Sequence, residues 1–231
     1  NKKSEPFHVV LARAAVDVKG KESRSVGCEL GTFALYHGPK DRHAESAIPL
    51  PGVFITGCEE VGAESADRSP KEMHGLHQFA LHWHQPGTDR RGNSTLQLQK
   101  YMFNTGDEEI VEEWVRRCRR QQRESFGEWS DAELGKWMQA TGAFGDEEPL
   151  VDCGIDAASV VEHVLNDESR QLKRALSKIG LHRDRFGDLW SKLLELLVND
   201  LGTDLADRAQ DSPASTSKDE QFYLHVLLDI G

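Results

Sequence analysis

Phe103-Asn-Thr-Gly-Asp-Glu-Glu-Ile-Val-Glu-Glu-Trp114-Val-Arg-Arg-Cys118 decides the fold class. Before it, Leu96, Leu98 and Lys100-Tyr101-Met102-Phe103 read as a strand. After Asn104-Thr105-Gly106, the apolar residues Ile110, Val111, Trp114, Val115 and Cys118 recur at the i, i+1, i+4, i+5, i+8 spacing of one helical face. Thr105 and Asp107 are the candidate N-caps. Glu108 and Glu109 in the first turn, with Arg116, Arg117, Arg119 and Arg120 further on, suit the helix dipole. A sheet is therefore closed off by an amphipathic helix that carries Trp114 in its apolar face.

Upstream, residues 7–16 are apolar and β-rich, and a polar loop through Lys19-Gly20-Lys21-Glu22-Ser23-Arg24 follows them. Ser25–Leu30 and Thr32–His37, split at Gly31, read as a hairpin that Gly38-Pro39-Lys40-Asp41-Arg42 ends. Val53–Cys58 reads as the next strand. Leu76–His84 alternates, with Phe79, Leu81 and Trp83 on one side and Gln78, Ala80, His82 and His84 on the other, as in a half-buried strand. About seven strands and one closing helix predict an antiparallel barrel or sandwich, because a sheet with an apolar face must close or be covered.

Downstream the pattern is helical. Ser130-Asp-Ala-Glu133 is a capping box ahead of Leu134, Trp137 and Met138, and Asp156 can cap the run through Val160 and Val164. Gly180 is a stop after Leu172, Leu176 and Ile179, and Phe186, Leu189, Leu193, Leu197 and Leu201 form the strongest apolar stripe of the chain. Asp211-Ser-Pro-Ala-Ser-Thr-Ser-Lys218 has linker composition, and Phe222–Leu228 is an apolar segment that reads as the start of a further element. The expected organisation is a sheet domain over residues 1–125, an acidic helical region over 126–208, and a linker with the start of another element over 209–231.

Charge supports a division into two parts: residues 1–120 sum to zero and residues 121–231 carry the whole excess of −11. No long Lys/Arg stripe offers the basic surface that counterion release needs, which argues against a general nucleic-acid binder. No apolar run approaches ~18 residues, so neither a membrane span nor a secretory leader is expected. The four cysteines, Cys28, Cys58, Cys118 and Cys153, are widely spaced without a Cys-x-x-Cys pair, the usage of reduced thiols in a cytoplasmic chain.

Three segments, in order, carry a family resemblance. Gly31-Thr-Phe-Ala-Leu-Tyr36 resembles the third strand of a pleckstrin homology (PH) domain. Ile48-Pro-Leu-Pro-Gly52-Val-Phe-Ile55 is similar to the I-x-L-x-G-x-x-I segment after it, and Phe103 with Trp114 resembles the final strand and capping helix. The resemblance covers residues 7–123. It implies an α+β chain, a seven-stranded antiparallel PH-like barrel or sandwich capped by a C-terminal helix and followed here by an all-α region. It also implies a non-catalytic adaptor that recruits its protein to anionic, phosphoinositide-containing membrane or to a protein partner. The headgroup site so implied is Lys19, Lys21 and Arg24 on the first loop, with Lys40 and Arg42 opposite. Glu22 departs from the family's basic pattern and would repel phosphate. Arg90 and Arg91 form a second basic loop that can add attraction to an anionic surface. A groove between the last strands and the helix is the alternative, as the peptide site of a protein scaffold that binds no lipid. A third reading is a regulatory segment of a larger signalling enzyme.

His82 and His84 share a strand face and are the candidate metal ligands, although neither a cysteine nor a carboxylate falls at a helpful spacing. Exposed histidines on a sheet face are the expected alternative. His182-Arg183-Asp184 spells the start of a kinase catalytic loop, but the Asn that loop requires is Leu189 and no nucleotide loop precedes it. No catalytic residues and no cofactor are expected.

Overall fold

A computed structural model of the chain describes residues 4–20, 24–57, 77–88, 94–105, 107–144, 155–181, 184–199 and 222–228. The strands are β1 (Ser4–Ala12), β2 (Val16–Val18), β3 (Arg24–Val26), β4 (Thr32–Tyr36), β5 (Ser46–Pro49), β6 (Phe54–Thr56), β7 (His77–Thr88), β8 (Ser94–Thr105) and β9 (Phe222–Leu228). The helices are α1 (Glu108–Ser125), α2 (Asp131–Ala140), α3 (Ala157–Leu165), α4 (Ser169–Ser177) and α5 (Phe186–Leu194). A 3₁₀ turn at Phe126–Glu128 follows α1, and α5 runs on as a π-helical turn over Glu195–Asn199.

The chain is mixed α+β, with one antiparallel seven-stranded sheet in the order β5-β4-β1-β9-β8-β7-β6 and a separate β2-β3 hairpin. This corrects three expectations. First, the sheet does not close into a barrel: its outer strands are β5 and β6, and β6 has three residues against which α1 and α2 pack. Second, β4 pairs with β1 and β5, not with the strand before it; β3 pairs with β2 instead. Third, Phe222–Leu228 opens no new element but fills the sheet between β1 and β8. An apolar alternating segment reads the same whether its partners are near or two hundred residues away, so sequence pattern could not assign it.

The sheet's core face joins Phe7, Val9, Phe33, Leu35, Ile48, Ile55, Phe79, Leu81 and Phe103 to Val111, Trp114, Val115 and Cys118 of α1. Trp114 meets the Phe33 ring edge-on at 6.0 Å, and Phe33 meets Phe103 at 5.0 Å. Asp107 is the N-cap of α1, its carboxylate accepting from the Glu109 N–H at 2.9 Å. Complete burial pushes the Cys118 thiol far up, so it packs as a small apolar group.

A second core lies in the helices, where Phe126, Trp129, Trp137, Leu172, Leu176, Leu189, Leu193 and Leu197 pack together and take in Phe54 from β6. The Ser130 capping box forms with Glu133, and Asp156 caps α3. Gly52 shows why the loop ahead of β6 carries glycine: its φ is +81°, and a Cβ there would meet the Glu133 carbonyl at 3.2 Å. The helices therefore dock against this loop. Arg119 donates to the Ile55 carbonyl at 3.1 Å and pairs with Glu195, Arg123 donates to the Leu196 carbonyl at 3.0 Å, and Lys192 lies 4.9 Å from the Phe54 ring centroid.

Two substitutions test this packing by denaturant titration. Trp114→Ala is expected to cost about 3–5 kcal/mol, the range for truncating a large buried aromatic side chain. Gln122, 1 % exposed, donates to the Leu50 and Val53 carbonyls at 2.8 and 2.7 Å. Gln122→Ala removes both hydrogen bonds, leaving the Leu50 carbonyl with the Val53 N–H at 3.1 Å, and is expected to cost about 1–3 kcal/mol.

Candidate functional site

Three regions carry groups that could act on a ligand. The first is the cationic loop pair. The Lys19 N–H donates to the Ala44 carbonyl at 2.8 Å and the Ala44 N–H donates to the Asp17 carbonyl at 2.8 Å, with a parallel bridge between Val18 and Ala44. The end of β2 is thereby laid beside the β4–β5 loop, which brings Lys19 to the same end of the molecule as Lys40 and Arg42. A tight turn, closed by the Gly38 N–H to the Asp41 carboxylate at 2.9 Å, presents Lys40. All three cations are exposed, and so are Asp17, Asp41 and Glu45 around them. His37 sits 3.3 Å from Glu45. Three carboxylates against three cations make a mixed surface. Lys21, Arg90, Arg91 and the Arg24 side chain lie outside the described residues.

The second region is a cavity of about 200 Å³ along one flank of α1, lined by Asp107, Glu109, Ile110, Glu113, Trp114 and Arg117. These residues recur along the first three turns because helical spacing returns every three or four positions to one side. Its apolar part is Ile110 and Trp114; its polar part is Asp107, Glu109 and Glu113 with Arg117. Glu113 is held by Arg116 and Arg117. Burial raises its carboxyl, but the hydrogen bonds from Arg117 and Arg116 outweigh that and leave it below its ordinary value. His77 at the start of β7 lies 3.8 Å from Glu108, next to the groove residues Asp107 and Glu109 in sequence. The sequence contained the signal: the acidic first turn adjoins Ile110 and Trp114, residues otherwise explained by the core.

The third region is the sheet face opposite Trp114. His82 and His84 are each 6 % exposed, which corrects the expectation of exposed histidines. His82 Nε2 lies 3.0 Å from Thr56 Oγ1, and its ring is 6.1 Å from Phe54. This face is covered because α2 packs onto β6 and β7. Ala80, fully buried on it, is the small residue such close approach requires. No group of three His, Cys, Asp or Glu side chains among the described residues is arranged to hold a metal ion. No helix among them is long and apolar enough to cross a membrane.

His8 of β1 belongs to the same face, 3 % exposed and 6.4 Å from the Tyr36 ring. Burial pushes its imidazole below the ordinary value; burial and then Asp17 push the Tyr36 phenol up. A base so lowered binds fewer protons when folded than when unfolded. Its cost is therefore absent above the unfolded imidazole value of about 6.5, and stability is lost as pH falls from there through the folded value. Urea titrations at about pH 7.5 and 5.5, either side of that value, are expected to show a fall in stability that His8→Gln reduces. An equal fall in both proteins would assign the acid sensitivity to other groups.

No family model, no curated protein and no solved structure matches this chain.

Proposed function

We propose that the chain is a non-catalytic, cytoplasmic recruitment module that holds a protein partner in the groove along α1. The partner segment carries one apolar anchor and a nearby Lys or Arg. The cavity itself carries this reading: Ile110 and Trp114 form an apolar floor, with the carboxylates of Asp107, Glu109 and Glu113 at its rim. Its volume of about 200 Å³ admits one or two side chains and falls below the ~300–1,000 Å³ of small-molecule sites. That size favours a side chain presented by a peptide over a free metabolite. The net charge of −11 has the same sign as the rim, so the field of the whole molecule favours encounter with a basic partner.

A second reading rests on the hydrogen bond between Lys19 and Ala44, which lays Lys19 against the loop that carries Lys40 and Arg42. In it, the PH-like resemblance extends to function and these loops attach the protein peripherally to phosphoinositide-containing membrane. The carboxylates of Asp17, Asp41 and Glu45 weaken the cationic field there, which is why the groove is preferred.

Selection of a displayed random peptide library against the whole chain separates the two. Enriched peptides are expected to pair an aromatic or aliphatic residue with a Lys or Arg close by. Ile110→Asp is expected to weaken their binding at least about tenfold, the effect of losing a central anchor, measured on protein whose urea transition shows it folded, because Ile110 also packs against the sheet core. Peptides without a basic residue, or binding indifferent to Ile110→Asp, would remove the groove reading. Sedimentation with phosphoinositide vesicles that is lost in a Lys19/Lys40/Arg42 triple Ala variant would establish the second reading in its place.

A further inference from the structure

The seven-stranded sheet is two three-stranded halves with β9 between them: β5, β4 and β1 on one side, β8, β7 and β6 on the other. β9 pairs antiparallel with β1 from Ser4↔Leu227 to Val9↔Phe222, and antiparallel with β8 from Tyr101↔Leu228 to Asn104↔His225. β1 and β8 therefore run parallel to each other across a slot one strand wide, about 10 Å between their axes at the usual strand spacing. The slot lies within the core of the sheet. Phe7, Val9 and Phe103 on its two walls are 3 %, 2 % and 0 % exposed. Two rows of backbone N–H and C=O groups face into it, and they need a strand.

The two ladders are what hold β9, whose substantial contacts are with β1 and β8. Its connection to the helices is residues 200–221, a polar stretch containing Asp211-Ser-Pro-Ala-Ser-Thr-Ser-Lys218. That many residues can span several tens of ångströms, since an extended chain covers ~3.3–3.6 Å per residue. Nothing in the ladders depends on which copy of the chain supplies the strand. Phe222, Leu224 and Leu228 stand opposite Val9, Phe7 and Tyr101, and a slip of one residue would exchange the two side-chain sets.

We propose that the slot between β1 and β8 is a strand-exchange site, in which Phe222–Leu228 of a second copy replaces the strand of the first and forms a reciprocal dimer. Main-chain ladders supply the affinity and the alternating side chains set the register, as in other cases of strand addition. Exchange of an identical element builds a dimer from contacts the monomer already makes. A second copy is the occupant that fits, because it alone brings the same residues in the same register. Tethering gives the strand a local concentration of roughly millimolar order, so the exchanged form accumulates as the protein concentration approaches that value.

The test uses two full-length proteins in a background whose native cysteines are replaced by Ser or Ala. One carries Ser4→Cys and the other Leu227→Cys, positions opposite each other in the β1–β9 ladder. They are unfolded together, refolded as a concentrated mixture and treated with a short bis-maleimide. A linked dimer containing one copy of each is expected, in excess over either copy linked to itself. A third protein carrying both substitutions reports the strand in cis. If that protein links internally while the mixture yields no mixed dimer, the strand stays with its own copy and the proposal is overturned. If neither link forms, Phe222–Leu228 does not occupy the slot, and the proposal is overturned as well.

Discussion

Trp114 and Gln122 lie about two turns apart on α1 and serve two different cores, and the rest of the molecule depends on that helix meeting both. Trp114 fills the space over Phe33 and closes the sheet's apolar face. Gln122 holds the Leu50 and Val53 carbonyls, fixing the loop that leads into β6. Because strand residues alternate, β6 then sends Ile55 into the sheet core and Phe54 into the helical core. Arg119 and Arg123 on the same helix close the remaining gap by donating to the Ile55 and Leu196 carbonyls. Two apolar clusters that would each be marginal alone thereby share a wall.

Local signals were legible wherever a residue's partner lies within a few positions. Asp107, Ser130 and Asp156 cap the helices they precede, and Gly180 sits in the left-handed region where a helical stop is wanted. The apolar spacing of Leu189, Leu193 and Leu197 predicted a buried stripe, and it is one. Failure came where the partner is distant. The expected hairpin at Gly31 dissolves because Thr32–Tyr36 has a better partner in β1, and Phe222–Leu228 completes a sheet begun at Ser4. Alternation puts His82 and His84 on the second face of the strand, and nothing in the period says that α2 returns to cover it.

The same distinction governs the site. Both candidate regions could be named from the sequence as charge patterns, but their relative weight depends on carboxylate placement in space. Lys19 and Arg42 are brought together by a backbone hydrogen bond that also draws in Asp17, so each gain in positive charge carries a negative partner with it. On α1 the lining holds three carboxylates, Asp107, Glu109 and Glu113, and one cation, Arg117, which with Arg116 pairs with Glu113. The lining of the groove thus carries more negative than positive groups while the described loop groups balance, and net sign is what survives screening beyond a few ångströms.

Chain order adds a last constraint. The helical core draws on residues 126–197 together with Phe54, whereas the sheet needs Ser4–Val9 and Phe222–Leu228 side by side. Contacts of high sequence separation form late because loop closure must come first. During synthesis β1 and β8 are complete long before β9 exists, and as parallel neighbours they would have to pair in the weaker of the two ladder geometries to close without it. The sheet therefore waits with two inner edges open, which is the condition under which a strand from another molecule competes with the chain's own.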